Sequence, residues 1–282
     1  MIGLVILNYK TYQDSFELLK TLDDLILNID LKIFIVDNET IPSELEKLKS
    51  NKFKLNISYI PIKENLGFAN GMNQGIEQAK ISGCKYIICS NSDILFPKDF
   101  SFERFLMPYE IDTKIAVLGP KITNLSGENQ NPLYINDPFQ KNLKNYLVKK
   151  ILLTPFLGKF LYISRGVFKE FFNKKNKPNT ISEPKGGYVY CLHGSFFMLT
   201  PSYFENYQGL DSNTFLYFEE LIISKRVNNL GLYSKLNYSV NVIHKEDSST
   251  NFKFKNKKLA KTLFILKENY KSLSYFLKSY IK

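Results

Sequence analysis

Four short apolar runs in the first hundred residues, at 2–7, 32–36, 57–60 and 86–89, are separated by stretches with helical periodicity. This alternation constrains the chain more than anything else in it. Between the first two runs, residues 14–27 place Phe16, Leu18, Leu19, Leu22 and Leu25 on one helical stripe. Residues 43–48 suit a short helix, and residues 68–80 suit a longer one stopped by Gly83. The order strand, helix, strand, helix, strand, helix, strand implies an α/β fold, a wound and mainly parallel sheet with helices on both faces. A further strand is expected at 115–118, strand-like order at 188–200, a helix at 216–229 ended by Gly231, and a strand at 238–243.

Three of the apolar runs end in polar tails. The first ends in "LNYK", the second in "VDNET" and the fourth in "SNSD". An ionised carboxylate such as Asp93, set between apolar runs, is not buried without a partner. In a parallel sheet these tails share the carboxyl edge, where ligands bind in the crevice at which strand order reverses. Asn8, Asp37, Asn91 and Asp93 are therefore expected to converge on one site. No GxGxxG or GxxxxGK[ST] follows the first strand, which argues against a dinucleotide or P-loop site. An acid after the second strand suits a nucleoside contact by Asp37. Asp93 with Asn91 suits a hard divalent cation whose other positions are filled by phosphate oxygens.

"ENLGFANGMNQGIEQAK" adds Gly67, Gly71 and Gly75, which permit close backbone approach, and Asn65, Asn70 and Asn73 at a helix start. The expectation is a diphosphate neighbourhood.

The formal charge of +11 points to an anionic partner, but the excess is uneven, which argues against nucleic acid. It concentrates at 139–177, an insertion rich in Lys, Phe and Leu, and in a basic helical tail at 251–282. Both read as amphipathic segments for an anionic membrane surface. Nothing approaches the ~18 apolar residues of a span. Cys84, Cys89 and Cys191 read as reduced core thiols of a cytoplasmic protein, with no zinc pattern. The N-terminal run lacks a preceding basic region and reads as a strand, not a signal peptide.

Taken together, "LVILNYK", "IFIVDNET", "ENLGFANGMNQGIEQA" and "YIICSNSD" resemble, in order and spacing, the family 2 glycosyltransferases of the GT-A fold, above all a rhamnosyltransferase-like branch of bacterial surface-polysaccharide enzymes. "HGSFFMLTPSYFENYQGLDSNTFLYFEELIISKRVNNLG" resembles the family's acceptor-side segment, and "VIHKEDSST" its closing histidine segment. The likeness covers residues 2–120, the nucleotide-binding part, and 188–250, the acceptor part, of one domain at 1–250.

The resemblance implies that Asn8, Tyr9 and Asp37 bind the nucleoside. It makes Asn91-Ser92-Asp93 the metal motif for Mn²⁺ or Mg²⁺, with an amide replacing the usual first carboxylate. His244 completes the metal or diphosphate site. Glu220 becomes the base, with Glu219 as the alternative. His193, Gly194 and Ser195 fall on the acceptor side. The implied activity is inverting transfer from a UDP- or dTDP-sugar to a hydroxyl of a glycan or lipid-linked acceptor, at the inner face of the cytoplasmic membrane. The pyrimidine preference rests on Asp37 accepting from the imide N–H of uracil or thymine. A nucleotidyltransferase and a non-catalytic glycan- or lipid-binding relative are the alternatives. The first would need a basic triphosphate loop after strand one, where "NYKTYQD" stands; the second would tolerate loss of Glu220 and Asp93.

Overall fold

The computed structural model describes residues 1–152, 184–246 and 258–279. Its order begins β1 (Ile2–Asn8), α1 (Tyr12–Asp23), β2 (Leu31–Asn38), α2 (Pro42–Lys49), β3 (Ile57–Ile62), α3 (Phe68–Ile81), β4 (Tyr86–Asn91) and β5 (Ile94–Leu95). It continues with α4 (Phe102–Ile111), β6 (Ile115–Thr123), α5 (Phe139–Leu152), β7 (Tyr188–Val189), β8 (Phe196–Leu199), α6 (Pro201–Phe204), α7 (Glu219–Asn229), β9 (Tyr233–His244) and α8 (Lys258–Lys278).

Among the described residues the strands form one sheet in the order β3-β2-β1-β4-β8-β6-β9-β5, with β7 beside β9. β3, β2, β1 and β4 are parallel neighbours, as are β6 and β9, while β5, β7 and β8 run antiparallel to their partners. The chain winds from β1 outward to β3 and then returns to place β4 on the other side of β1, so the switch in strand order lies between β1 and β4. Register brings Asn8 opposite Asp37 and Leu7 opposite Asn91. The three polar tails thus meet at one edge, as expected from the sequence.

Alternation along the strands builds two cores. Leu4, Ile6, Ile33 and Ile35 face the α1 residues Leu18, Leu19 and Leu22 and the aromatic cluster of Phe96, Phe100, Phe105 and Phe196. Val5, Phe34 and Val36 face Met72, Ile76 and Ala79 of α3. A Cβ on Gly75 would come within 2.2 Å of Val5 Cγ1, and one on Gly71 within 2.7 Å of Leu7 Cδ1. These two glycines let α3 lie against the sheet; they are helix-packing residues, and the ligand approach expected of them is not their role.

Several elements differ from the sequence expectation. α1 ends at Asp23, although Leu25 and Leu27 continue its apolar period, because both pack on the core from the following loop. The stretch expected as strand at 188–200 splits into β7 and β8 around a turn at 190–195. α4 was hidden by Pro108, which cannot donate to the carbonyl of Arg104. Asn237 Nδ2 takes that role, donating to Arg104 O at 2.8 Å.

The described part of the basic tail, α8, packs on the body of the fold. Leu273, Phe276 and Leu277 of α8 are buried against Tyr190, Cys191, Leu221 and Ile222. α5 packs on α8 through stacked Tyr146 and Tyr270 rings, 5.3 Å between centroids. The rest of the basic insertion lies outside the described residues. Cys84, Cys89 and Cys191 are free and buried.

Candidate active site

A cavity of about 400 Å³ opens at the switch in strand order. One wall is polar: Tyr9 after β1, Asn38 at the end of β2, Asn65 and Gly67 before α3, and Asn91, Ser92 and Asp93 after β4. Its opposite wall carries His193, Gly194, Ser195, Glu219 and Glu220. Leu133, Leu216, Tyr217 and Phe264 supply an apolar margin.

Asp93 is buried, and no hydrogen bond reaches its Oδ1. His244 Nε2 lies 3.4 Å from that oxygen. The pairing of Ile94 with His244, and a 3.0 Å bond from Lys245 N to Asp93 O, hold the two side chains together. His244 Nδ1 is 3.0 Å from Gln130 Oε1, while Gln130 Nε2 donates to Glu246. Gln130 therefore presents its carbonyl oxygen to the ring and accepts from Nδ1, which leaves Nε2 facing Asp93. This arrangement fits a divalent cation held by Asp93 and His244, with phosphate oxygens completing the sphere. Among the described residues no cluster of three or more His, Cys, Asp or Glu could hold a metal by itself.

Burial, with the nearby His244 as second cause, lowers the His193 pKa to about 4 against the opposing effect of Asp93. Ser195 N donates to His193 Nδ1 at 3.2 Å, so the proton sits on Nε2. His193 is neutral at physiological pH, with Nε2–H free to donate and Nδ1 occupied. The His193–Ser195 turn is pinned by Asn131 Oδ1, which accepts from His193 N at 2.9 Å, and by Asn91 N, which donates to Ser195 O at 2.8 Å.

Glu219 and Glu220 open α7. Tyr217 and Phe218, just before them, both have left-handed backbone, at φ 71° and 73°. Two successive non-glycine residues there store strain, on the order of 1–3 kcal/mol each, and aim the helix start at the cavity. Glu219 accepts from Thr214 Oγ1 at 2.9 Å and is raised to about 7 by burial and by the charge of Glu220. Burial also raises Glu220. Glu220 Oε2 would lie 3.4 Å from a Cβ at Gly194, so this carboxylate sits beside the His193–Ser195 turn. At Gly67, φ is +82° and a Cβ would meet Phe215 O at 2.3 Å. That glycine lets the turn before α3 touch the segment leading to α7.

Other residues expected at the site stand behind it. Asp37 is fully buried: Asn8 Nδ2 donates to Oδ1 at 2.7 Å and Tyr12 OH to Oδ2 at 2.8 Å. Neither Asp37 nor Asn8 lines the cavity, so the argument for a pyrimidine loses its contact. Ser92 Oγ lies 2.7 Å from Thr11 Oγ1, which donates to Asn8 Oδ1 at 3.0 Å. The pair thus anchors the loop that carries Asp93. Asn70 and Asn73 do not line the cavity either; they tie α3 to Ser212 O and to Leu210.

Asn38, Gln130 and Phe264 were not singled out from sequence. Asn38 donates to Asn65 Oδ1 and Gly67 O and accepts from Leu66 N, which shapes the turn before α3. Its place beside Asp37 in "VDN" was a signal. Gln130 and Phe264 sit in segments with no motif.

Residues 9–172 match the profile of Glycosyl transferase family 2. The chain belongs to this family. Its fold is shared with the mannosyltransferase PcManGT from Pyrobaculum calidifontis, solved with GDP-Man and Mn²⁺: TM-score 0.53, 11% identity, covering 98% of this chain and 69% of that one. It is shared with residues 1–349 of S. aureus TarS, at TM-score 0.50, 12% identity and the same coverage. GalNAc-T7, solved with UDP, GalNAc and Mn²⁺, gives TM-score 0.56 at 10% identity over 88% of this chain and 44% of that one. No curated protein matches the sequence. The family 2 glycosyltransferase described here therefore has a GT-A-type fold with its cavity at the sheet edge.

Proposed function

We propose that this family 2 enzyme is an inverting glycosyltransferase that uses a nucleotide-diphosphate sugar and glycosylates a hydroxyl of a glycan or lipid-linked acceptor, working at an anionic membrane surface on the cytoplasmic side. The observation that carries the reading is one cavity with the buried Asp93 carboxylate, whose Oδ1 no hydrogen bond reaches, on one wall and Glu220 on the other.

Asp93 and His244 would hold a divalent cation, which supplies positive charge to the departing diphosphate. Tyr9, Asn65 and the turn around Gly67 bind and orient the donor, and the Asn8–Asp37 pair positions the loop beneath it. His193, neutral and protonated on Nε2, offers a hydrogen bond on the acceptor side. Glu220 accepts the hydroxyl proton as the acceptor oxygen forms its bond to the anomeric carbon. The bond from that carbon to the diphosphate oxygen breaks, and the nucleoside diphosphate leaves with the electron pair. A single displacement from the opposite face inverts the centre. Glu219, tethered to Thr214, is the less free of the two carboxylates.

The test is a panel of UDP-, dTDP- and GDP-sugars assayed for nucleotide release with and without acceptors. The resemblance of the sequence blocks to rhamnosyltransferase-like enzymes makes dTDP-rhamnose one of its members. Nucleotide release from one donor, dependent on Glu220 and Asp93, is expected. No release from any donor, with triphosphates bound instead, would favour the nucleotidyltransferase reading.

A further inference from the structure

α5 and α8 pair through Tyr146 and Tyr270 and through Lys149 Nζ, which donates to Asn269 Oδ1 at 3.3 Å. α5 carries Lys141, Lys144, Lys149 and Lys150 and no acid. α8 carries Lys258, Lys261, Lys267, Lys271 and Lys278 and one acid, Glu268, which is buried and paired to Lys271 at 2.8 Å. The two helices thus hold a net charge of +8, nine lysines less one glutamate, of the +11 of the whole chain. On α5, Leu143 and Leu147 lie one turn apart and are 38% and 53% exposed; Val148 is 50% exposed. Exposed lysines Lys141, Lys144 and Lys150 flank them.

Exposed leucines set among lysines do not suit a nucleic-acid backbone, which gains nothing from apolar side chains. They suit the interface of an anionic bilayer, where cations meet headgroups and apolar tips enter below them. Leu263 of α8 is 51% exposed while its neighbour Phe264 lines the catalytic cavity, so this face and the cavity adjoin. No helix among the described residues is long and apolar enough to cross a membrane.

We propose that the paired α5 and α8 form the docking face for an anionic lipid bilayer, and that docking sets the acceptor side of the cavity at the lipid surface. This rests on the reading of a membrane-borne acceptor and assigns it a specific surface.

The experiment is co-sedimentation of the full chain with phosphatidylcholine vesicles, with and without phosphatidylglycerol, over a salt series. Wild type should bind only the anionic vesicles, more weakly as salt rises. Each lysine near the surface is expected to contribute about fivefold. Lys144→Glu with Lys150→Glu should therefore weaken binding at least twentyfold, and Leu147→Glu should remove the salt-resistant part. Nucleotide binding by the same variants, measured without vesicles, should match wild type, which shows that they are folded. Absence of vesicle binding at low salt overturns the proposal, whether another segment or a second copy covers the face. Equal or tighter binding to duplex DNA at the same salt overturns it too. Vesicle binding without any nucleotide-sugar activity would leave the docking face standing and remove the catalytic reading instead.

Discussion

Asp93 Oδ1 and His244 Nε2 stand 3.4 Å apart at the end of the β5–β9 pairing, with no hydrogen bond reaching the carboxylate oxygen. A buried carboxylate oxygen in that state favours a positive partner. Asp93 lines the cavity together with Asn91 at the β4 end and the His193–Ser195 turn.

Metal dependence follows from this pair. Chelation should stop transfer, and Mn²⁺ or Mg²⁺ should restore it. Asp93→Ala should lose activity at any metal concentration. Gln130→Leu removes the acceptor that fixes the His244 tautomer and should lower metal affinity by about 10–100-fold, with activity recovering at high metal. Full activity in EDTA would refute this.

The carboxylate pair at the start of α7 gives a pH prediction. In the folded chain Glu219 keeps its proton up to about 7, against 4.5 for the ordinary group. The folded state then binds more protons than the unfolded one, so stability is lost as pH rises through that window, on the order of 3 kcal/mol in total. Glu219→Gln should flatten this slope in denaturant titrations. With Glu220 as the proposed base, transfer requires its ionised form, so the rate should rise with pH along a limb displaced above the usual carboxylate range. Glu220→Gln should cost ~10²–10⁴ in kcat at every pH, with donor affinity little changed. A variant crippled at Glu219 and active at Glu220 would exchange their roles.

Asp37 separates two readings of one residue. As an anchor, it holds Asn8 and Tyr12 and, through Thr11, the Ser92–Asp93 loop. Asp37→Ala should then leave buried donors unpaired, lower stability by about 1–3 kcal/mol or more, and weaken all nucleotides alike. Calorimetry with UDP, dTDP, CDP and GDP reads this. A loss confined to UDP and dTDP would restore the direct base contact.

The edge of the sheet was legible because strand period and strand order are local signals, and the register of Asn8 with Asp37 and of Leu7 with Asn91 follows from them. What each polar group faces was not. Asp37 and Asn8 read as ligand contacts because sequence shows a polar tail but not the Tyr12 and Thr11 side chains that turn back to meet it. Gly71 and Gly75 read as ligand-side glycines because close approach to Val5 and to a ligand make the same demand on sequence. Gln130 reaches His244 across 114 positions and has no motif. Lysine content marked α8 as surface, while its apolar stripe, which decides its packing, looked the same as a membrane-facing one.

The buried side of α8 makes the last prediction. Leu273, Phe276 and Leu277 cover Tyr190, Cys191, Leu221 and Ile222, and Ser272 Oγ donates to Leu216 O at 2.7 Å. Tyr275 OH donates to Asp211 Oδ2 at 2.9 Å, on the same oxygen that accepts from Arg226 at 2.8 Å. Ending the chain before Lys258 would expose this apolar surface, lose about 1.5–3 kcal/mol for each of the three side chains, and take Phe264 from the cavity wall. Phe276→Ala alone should cost about 3–5 kcal/mol in chemical denaturation. The exposed Leu263→Ala should change stability by under about 0.5 kcal/mol. A truncated chain that unfolds like wild type and keeps full transfer would show that α8 is dispensable. A truncated chain that is destabilised, with acceptor use impaired more than nucleotide binding, would show that the basic helix belongs to the catalytic body as well as to its surface.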